Sequence, residues 1–416
     1  MKGTMLSRKY LKSTFVAACI LETLCATYFL EITNAAAFFS VLYFIAGISV
    51  GILILFLPQY KQSISRRTRT PVPELLFCLL LMAAVAFFLF YESKNIFAEN
   101  PIDYRNADML PVIKTMNERF LHGHWTHVYD NIPGIWHGSK PIYLPFMWLP
   151  FSPAVAFNVD VRWITVAALF IVFIILINAF QSKPNRAFSA LILISSLSVL
   201  YWLFEQDDMH GFVSLSEEGV IVLYYIFLAL ALMAENMILI IAGVCLCMLS
   251  RYAAIGFVPA YLIYLLLSKK NKQALAFSFA GIIAVLFFFI IPFGWKPFVE
   301  LIQLPANYIG FSKIVWHDTP AVFTAGLGFA RFFIPDKINV LHYLLVALTF
   351  TVPAAVILFC HSYRKKIQFN NVPLAAMKIS LVIFYNFIDV PYLYLFYSST
   401  LVSLLVAAHL LRRNLV

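Results

Sequence analysis

The chain has 416 residues, 62% of them hydrophobic and 12% charged, and its mean hydropathy is +0.85. Soluble globular domains carry roughly 25% charged residues, so the composition excludes a soluble fold and implies one polytopic, all-α membrane domain spanning 1–416. The formal net charge of +10 does not point to nucleic acid, because the basic residues cluster between apolar runs, at 2–12, 61–69, 183–186, 269–272, 364–366 and 412–413; that is the positive-inside pattern, which sets orientation.

Residues 15–30 and 35–57 read as the first two spans, the N-terminal one lacking an obvious small-residue cleavage site and so retained. The basic segment 59–70 then lies in the cytoplasm, and 74–91 runs outward as the third span. It delivers the longest polar interruption in the chain, 100–153, at the heart of a large extracytoplasmic loop expected over 92–141. This stretch holds Asp103, Asp108, Glu118, Asp130 and the histidines His122, His124, His127 and His137. Within it, Met109, Ile113, Met116 and Phe120 recur at steps of four, three and four, which predicts an amphipathic helix over 108–122 resting along the membrane interface. Asp108 stands where an N-cap belongs and Gly123 where a helix stops.

Residues 143–157 are apolar but broken by Pro145, Pro150 and Pro153, so they form a kinked or a re-entrant segment; the basic clusters favour re-entrant. The run 163–180 then leads inward and 187–204 outward to a second external loop, 205–218, which carries Asp207, Asp208, His210, Glu217 and Glu218. After 219–234, the run 237–267 is too long for one span and suits two short ones, with Arg251 at the turn between them on the outer side. Residues 274–292 run outward to a third external segment, 293–339, containing Trp295, Lys313, His317 and the Gly-rich GLGFARFF with Arg331. The spans 340–360, 377–390 and 392–411 complete about twelve crossings. All six cysteines lie within or at the end of apolar runs and behave as small hydrophobes.

Each polar candidate has a structural and a chemical reading. Asp108 is an N-cap, or a general base that deprotonates an acceptor hydroxyl; Asp103 is its rival in the same loop. Asp207, Asp208 and His210 form a solvated turn, or a group that binds a metal or orients substrate. Glu217 and Glu218 are acids at a helix N-terminus, or hold a sugar hydroxyl. Arg251, midway along an apolar run, pairs with Glu217 or Glu218, or clamps a phosphate. Nothing fixes the loop histidines relative to one another, so no zinc site or other cofactor is expected, and a divalent metal has no support beyond the acidic pair.

The loop also carries a resemblance. Asp108 before an amphipathic helix, Leu121-His122-Gly123, Tyr129, then Tyr143-Leu144-Pro145 and Trp148-Leu149-Pro150 resemble GT-C class glycosyltransferases, most of all the bacterial polyprenyl-phosphate-mannose-dependent mannosyltransferases. Phe146 stands where a second proline is usual, Glu217 and Glu218 where a Gln is, and two spans precede the helix that is normally first. The resemblance implies an inverting transfer from a polyprenyl-phosphate sugar to a glycan or lipid acceptor at the outer face of the bacterial cytoplasmic membrane. It implies Asp108 (or Asp103) as base, Arg251 with Lys313, His317 or Arg331 on the departing phosphate, and Tyr143 at the substrate. The competing class is a transporter or flippase for a lipid-linked or anionic solute.

Overall fold

A computed structural model describes residues 8–32, 35–57, 72–105, 107–134, 140–179 and 186–410. His137, the basic segment 61–69, and the basic residues at 2, 183 and 412–413 lie outside the described residues. Among the described residues the regular elements are all helical: α1 (Arg8–Ala26), α2 (Ala36–Ile54), α3 (Val72–Glu99), α4 (Met109–Leu121), α5 (Arg162–Ala179), α6 (Arg186–Glu205), α7 (Glu218–Ala234), α8 (Met237–Met248), α9 (Phe257–Leu267), α10 (Asn271–Val285), α11 (Trp295–Asp318), α12 (Ile338–Ser362), α13 (Val372–Phe387) and α14 (Phe396–Leu410), with short turns between them.

Among the described residues, seven helical stretches are long and apolar enough to cross a membrane: Ala36–Ile54, Val72–Glu99, Arg162–Ala179, Ala187–Glu205, Asn271–Phe293, Ile338–Ser362 and Leu393–Leu410. α7, α8 and α9 are apolar but shorter. The expected first span is a helix of 19 residues, yet Lys12 and Glu22 interrupt its apolar character.

α13 and α14 form the centre. Nearly every residue of both is buried, as for a helix that is apolar all round; α1, α2, α7 and α12 pack against them. The polar residues they carry are answered inside the bundle. Lys378 of α13 and Glu22 of α1 are both 0% exposed, with Nζ 2.5 Å from Oε1. The ammonium also donates to the Ser399 carbonyl and hydroxyl, and Ser403 donates to Glu22 Oε2 at 2.7 Å. A fully hydrogen-bonded pair is the form in which buried ions persist.

Within 143–157, Pro145–Trp148, Leu149–Phe151 and Ser152–Ala156 follow one another without a gap, forming one short helical stretch kinked where its prolines remove backbone donors. Residues 293–339, read as an external loop, instead begin with the 24-residue α11. The ends of the long polar interruption are tied together. Arg162, at the start of α5, donates to the carbonyls of Phe97 and Asn100 at the end of α3, pairs with Asp160 at 2.6 Å, and stacks over the Phe97 ring.

Candidate active site

The helix α4 buries Leu110, Ile113, Met116 and Asn117, the stripe expected from its periodicity shifted to include one polar residue. Asn117 donates to the Trp148 carbonyl at 2.9 Å and accepts from Ser152 at 2.5 Å, locking α4 to the proline-rich turns. Trp148 Nε1 donates to the Tyr129 hydroxyl, which in turn donates to the Tyr143 carbonyl at 3.0 Å. The loop thus holds its own aromatic core and fixes the N-terminus of α4. Met109 there lies against the bundle, its sulfur accepting from the Tyr394 hydroxyl at 3.2 Å.

Asp108 does not cap the helix with its side chain; its carbonyl accepts from Val112 N at 2.9 Å, and its carboxylate makes no capping hydrogen bond. Asp103 is spent locally, accepting from the Arg105 amide at 3.0 Å with the Arg105 guanidinium 3.8 Å away in an exposed turn. The two candidate bases therefore occupy different environments.

Arg251 lies in the break between α8 and α9, in extended conformation. Its Nη2 is 2.6 Å from Glu217 Oε1 and 2.6 Å from Glu218 Oε2, and both glutamates are 0% exposed. Ser398 at the start of α14 donates to Glu218 Oε1 at 2.7 Å. The pairing expected with Glu217 or Glu218 is thus made with both on one guanidinium, a cluster that a phosphate reaches only through the nitrogens not already engaged. Among the described residues, Arg251 Nε and Glu217 Oε2 have no hydrogen-bond partner.

Asp108 and this cluster act on the same groups. Burial first, then Asp108 and Glu217, push the Tyr143 phenol up. The Tyr308 phenol on α11 is pushed up to about 12 by burial, with Arg251 opposing and with Asp108, Asp389 and Glu217 adding to the rise. Burial raises the Glu217 carboxyl, Arg251 holds it down, and Asp108 raises it further. Burial, Tyr308 and Asp108 raise Tyr392. Contacts link Asp108 and the cluster as well: Tyr394, whose hydroxyl reaches Met109 next to Asp108, stands four residues before Ser398, which donates to the Glu218 paired with Arg251.

The segment between α13 and α14 supplies a further wall. Asp389 is buried, with Oδ2 2.5 Å from Nδ1 of His342 on α12, and Oδ1 has no hydrogen-bond partner among the described residues. Ser312 of α11 donates to the Asp389 carbonyl at 3.2 Å. The rings of Tyr392 and Tyr394 stack with centroids 5.5 Å apart and planes 8° apart. Asp389, His342, Tyr308, Tyr392 and Tyr394 are absent from the sequence-based candidates. For Asp389, Tyr392 and Tyr394 the signal is the string Phe387–Phe396, FIDVPYLYLF, where an acid, a proline and two tyrosines interrupt an apolar run; His342 and Tyr308 carry none.

Other expected site residues stand elsewhere. Asp207 is buried and accepts from the amides of Val213 (2.6 Å) and Ser214 (3.0 Å), which folds its own loop. His210 accepts from Phe212 N at 3.2 Å and packs edge-on against Tyr397; burial lowers its imidazole to about 4. Asp208 is exposed. The loop turns two of its three polar groups inward because their side chains replace backbone partners that a tight turn with left-handed Gly211 lacks. Lys313 and His317 are exposed, His317 lies 3.0 Å from Asp318, and Arg331 donates to the Thr324 carbonyl. Among the described residues no hydrogen bond or ion pair joins these three to Arg251. The imidazoles of His122 and His124 lie 6.5 Å apart on the polar side of α4 and His127 pairs with Asp130 at 2.7 Å. Among the described residues no three His, Cys, Asp or Glu side chains group as metal ligands.

A half-open groove of ≈ 980 Å³ runs between the polar face of α4, with Lys114, Glu118 and His122, and the segment from Val155 to Arg162. Asp108, Glu217 and Arg251 do not line it. No protein-family model matches the sequence, and neither the curated proteins nor the solved structures include a match.

Proposed function

We propose that the chain is an integral-membrane glycosyltransferase that moves a sugar from a polyprenyl-phosphate donor to a glycan or lipid acceptor. The observation that carries this reading is that α4 and the Arg251 cluster both contact the start of α14: the Tyr394 hydroxyl reaches Met109 beside Asp108, and Ser398, four residues on, donates to the Glu218 paired with Arg251. Asp108 takes the proton of the acceptor hydroxyl, and the freed oxygen forms a bond to the anomeric carbon. The bond from that carbon to the phosphate oxygen breaks, the electron pair leaves with the polyprenyl phosphate, and the configuration inverts. The leaving group is a stable anion, so no second acid is needed to protonate it. Arg251 stabilises it with the nitrogens not engaged by Glu217 and Glu218, at short range in a low-dielectric site. Lys313, His317 and Arg331 have no part in this version.

The topology proposed with it has about twelve crossings in a bacterial cytoplasmic membrane, the seven long apolar stretches supplemented by α1, α7, α8, α9 and α13. α4 lies along the extracytoplasmic interface, with the prenyl tail between spans.

A second reading, a transporter or flippase for a lipid-linked or anionic solute, is favoured by one feature: the Glu22–Lys378 pair within the helices, both residues 0% exposed. Ionisable pairs inside membrane helices often mark transport paths. The two are separated by reconstituting the purified protein in liposomes with labelled polyprenyl-phosphate hexoses and a membrane extract. Label appearing on an acceptor supports transfer. Uptake or flipping of label, without transfer from any donor, supports the transporter and ends the glycosyltransferase proposal.

A further inference from the structure

Asp389 and His342 are unused by the reaction as derived, yet they stand beside it. Asp389 is 2% exposed, its Oδ2 is engaged by His342 Nδ1 at 2.5 Å, and its Oδ1 has no hydrogen-bond partner among the described residues. A buried carboxylate oxygen left without a donor is costly and rare, so its retention calls for an external hydrogen-bond donor. The carboxylate is held in place from two sides. The imidazole N–H fixes one oxygen, and the Ser312 hydroxyl fixes the main chain at the same residue. Three residues on along the same segment, Tyr392 is half-buried and stacked on Tyr394, whose hydroxyl reaches Met109, the residue after Asp108. Asp389 and Asp108 both act on the Tyr308 hydroxyl.

A preorganised carboxylate oxygen beside flat aromatic faces is the chemistry that recognises a pyranose. The ring hydroxyls donate to the carboxylate and the C–H face of the sugar lies on the aromatic ring. We propose that Asp389, oriented by His342, forms a pyranose subsite in which Oδ1 accepts a hydrogen bond from a sugar hydroxyl and Tyr392 supplies the platform. The inference deepens the glycosyltransferase reading and rests on it for the identity of the sugar. Asp389 touches substrate in this scheme, whereas His342 is a positioning residue that acts through it. The sugar is either the donor hexose or the terminal residue of the acceptor, and the test separates them.

The test is equilibrium binding to the purified full chain, followed by intrinsic fluorescence, with three probes: a polyprenyl-phosphate hexose, the same polyprenyl phosphate without sugar, and a methyl hexopyranoside. The expected result is that wild type binds the sugar-bearing lipid about tenfold more tightly than the bare lipid, a preference typical of one satisfied buried polar group. Asp389→Asn and His342→Gln remove that preference while leaving bare-lipid binding unchanged. If instead the donor preference survives and the methyl glycoside is the probe whose binding is lost, the subsite holds the acceptor sugar. His342→Gln keeps the test open should Asp389→Asn fail to fold, since it leaves the carboxylate in place and frees it to rotate. Sugar affinities equal to wild type in the folded variants, or a wild type that prefers no sugar-bearing probe, overturn the subsite. Because no readout depends on turnover, absence of sugar transfer counts against the glycosyltransferase reading alone.

Discussion

Lys378→Met isolates the energetics on which the centre of the bundle depends. The substitution keeps the length and volume of the buried chain and removes its charge, so the Glu22 carboxylate, 0% exposed, keeps only its hydrogen bonds from Ser399 and Ser403. Removing one partner of a buried, hydrogen-bonded pair costs about 3–5 kcal/mol, because the remaining ion is uncompensated. Glu22→Gln in the same background removes the orphaned charge and preserves an acceptor for Ser403. The double variant is therefore expected to recover most of that loss, with a coupling energy of about 2–4 kcal/mol. The assay is equilibrium unfolding by SDS titration in mixed micelles, for wild type, both single variants and the double. A Lys378→Met protein within about 0.5 kcal/mol of wild type, the scatter of an ordinary neutral substitution, refutes the reasoning; so does a double variant less stable than either single one. The same proteins bear on function. Sugar transfer survives in the double variant if the pair is structural, whereas solute uptake that depends on this pair disappears.

Other expectations are narrower. At Gly256 an added Cβ overlaps the Thr349 carbonyl oxygen of α12, so Gly256→Ala forces α9 and α12 apart and destabilises by about 1–3 kcal/mol in the same SDS titration. Asp207→Ala strands the amides of Val213 and Ser214 in a buried loop, at a cost of about 1–3 kcal/mol, and limited proteolysis should cut first within 207–216. His210 binds a proton less readily folded (about 4) than at its ordinary value of 6.5. The unfolded chain therefore holds more protons between those values, and stability falls as pH drops through that window by up to about 3 kcal/mol. His210→Asn should flatten that part of a stability-against-pH curve; a slope there equal to wild type contradicts the assignment.

The sequence was readable where a periodic pattern and a chemical exception coincided. The apolar stripe and Asp108 marked α4, and an arginine halfway along an apolar run marked the break that separates α8 from α9. α11 went unrecognised within the segment 293–339: Pro297, Pro305 and Gly310 punctuate its sequence, although Pro297 falls in the first turn, where no intrahelical donor is needed. Lys378 and Glu22 were illegible because each sits alone among apolar residues, and only packing α1 against α13 and α14 makes them a pair. Asp389 and His342 are 47 positions apart on separate elements; spacing in the sequence carries no information about such a contact. Asp207 and His210 were misread for the opposite reason. A polar string between two spans reads as solvated, but its side chains turn inward to satisfy the backbone of a tight loop.

The reading as a glycosyltransferase rests on Asp108 and not Asp103 as the group that takes the acceptor proton. The measurement that bears on it most directly is the rate of sugar transfer from a labelled polyprenyl-phosphate hexose by Asp108→Asn and Asp103→Asn proteins, each with wild-type thermal stability. Loss of a general base lowers the rate by about 10²–10⁴-fold, so Asp108→Asn is expected to fall by that factor, with Asp103→Asn staying within a few-fold of wild type. Transfer by Asp108→Asn at the wild-type rate, or a loss confined to Asp103→Asn, contradicts the account.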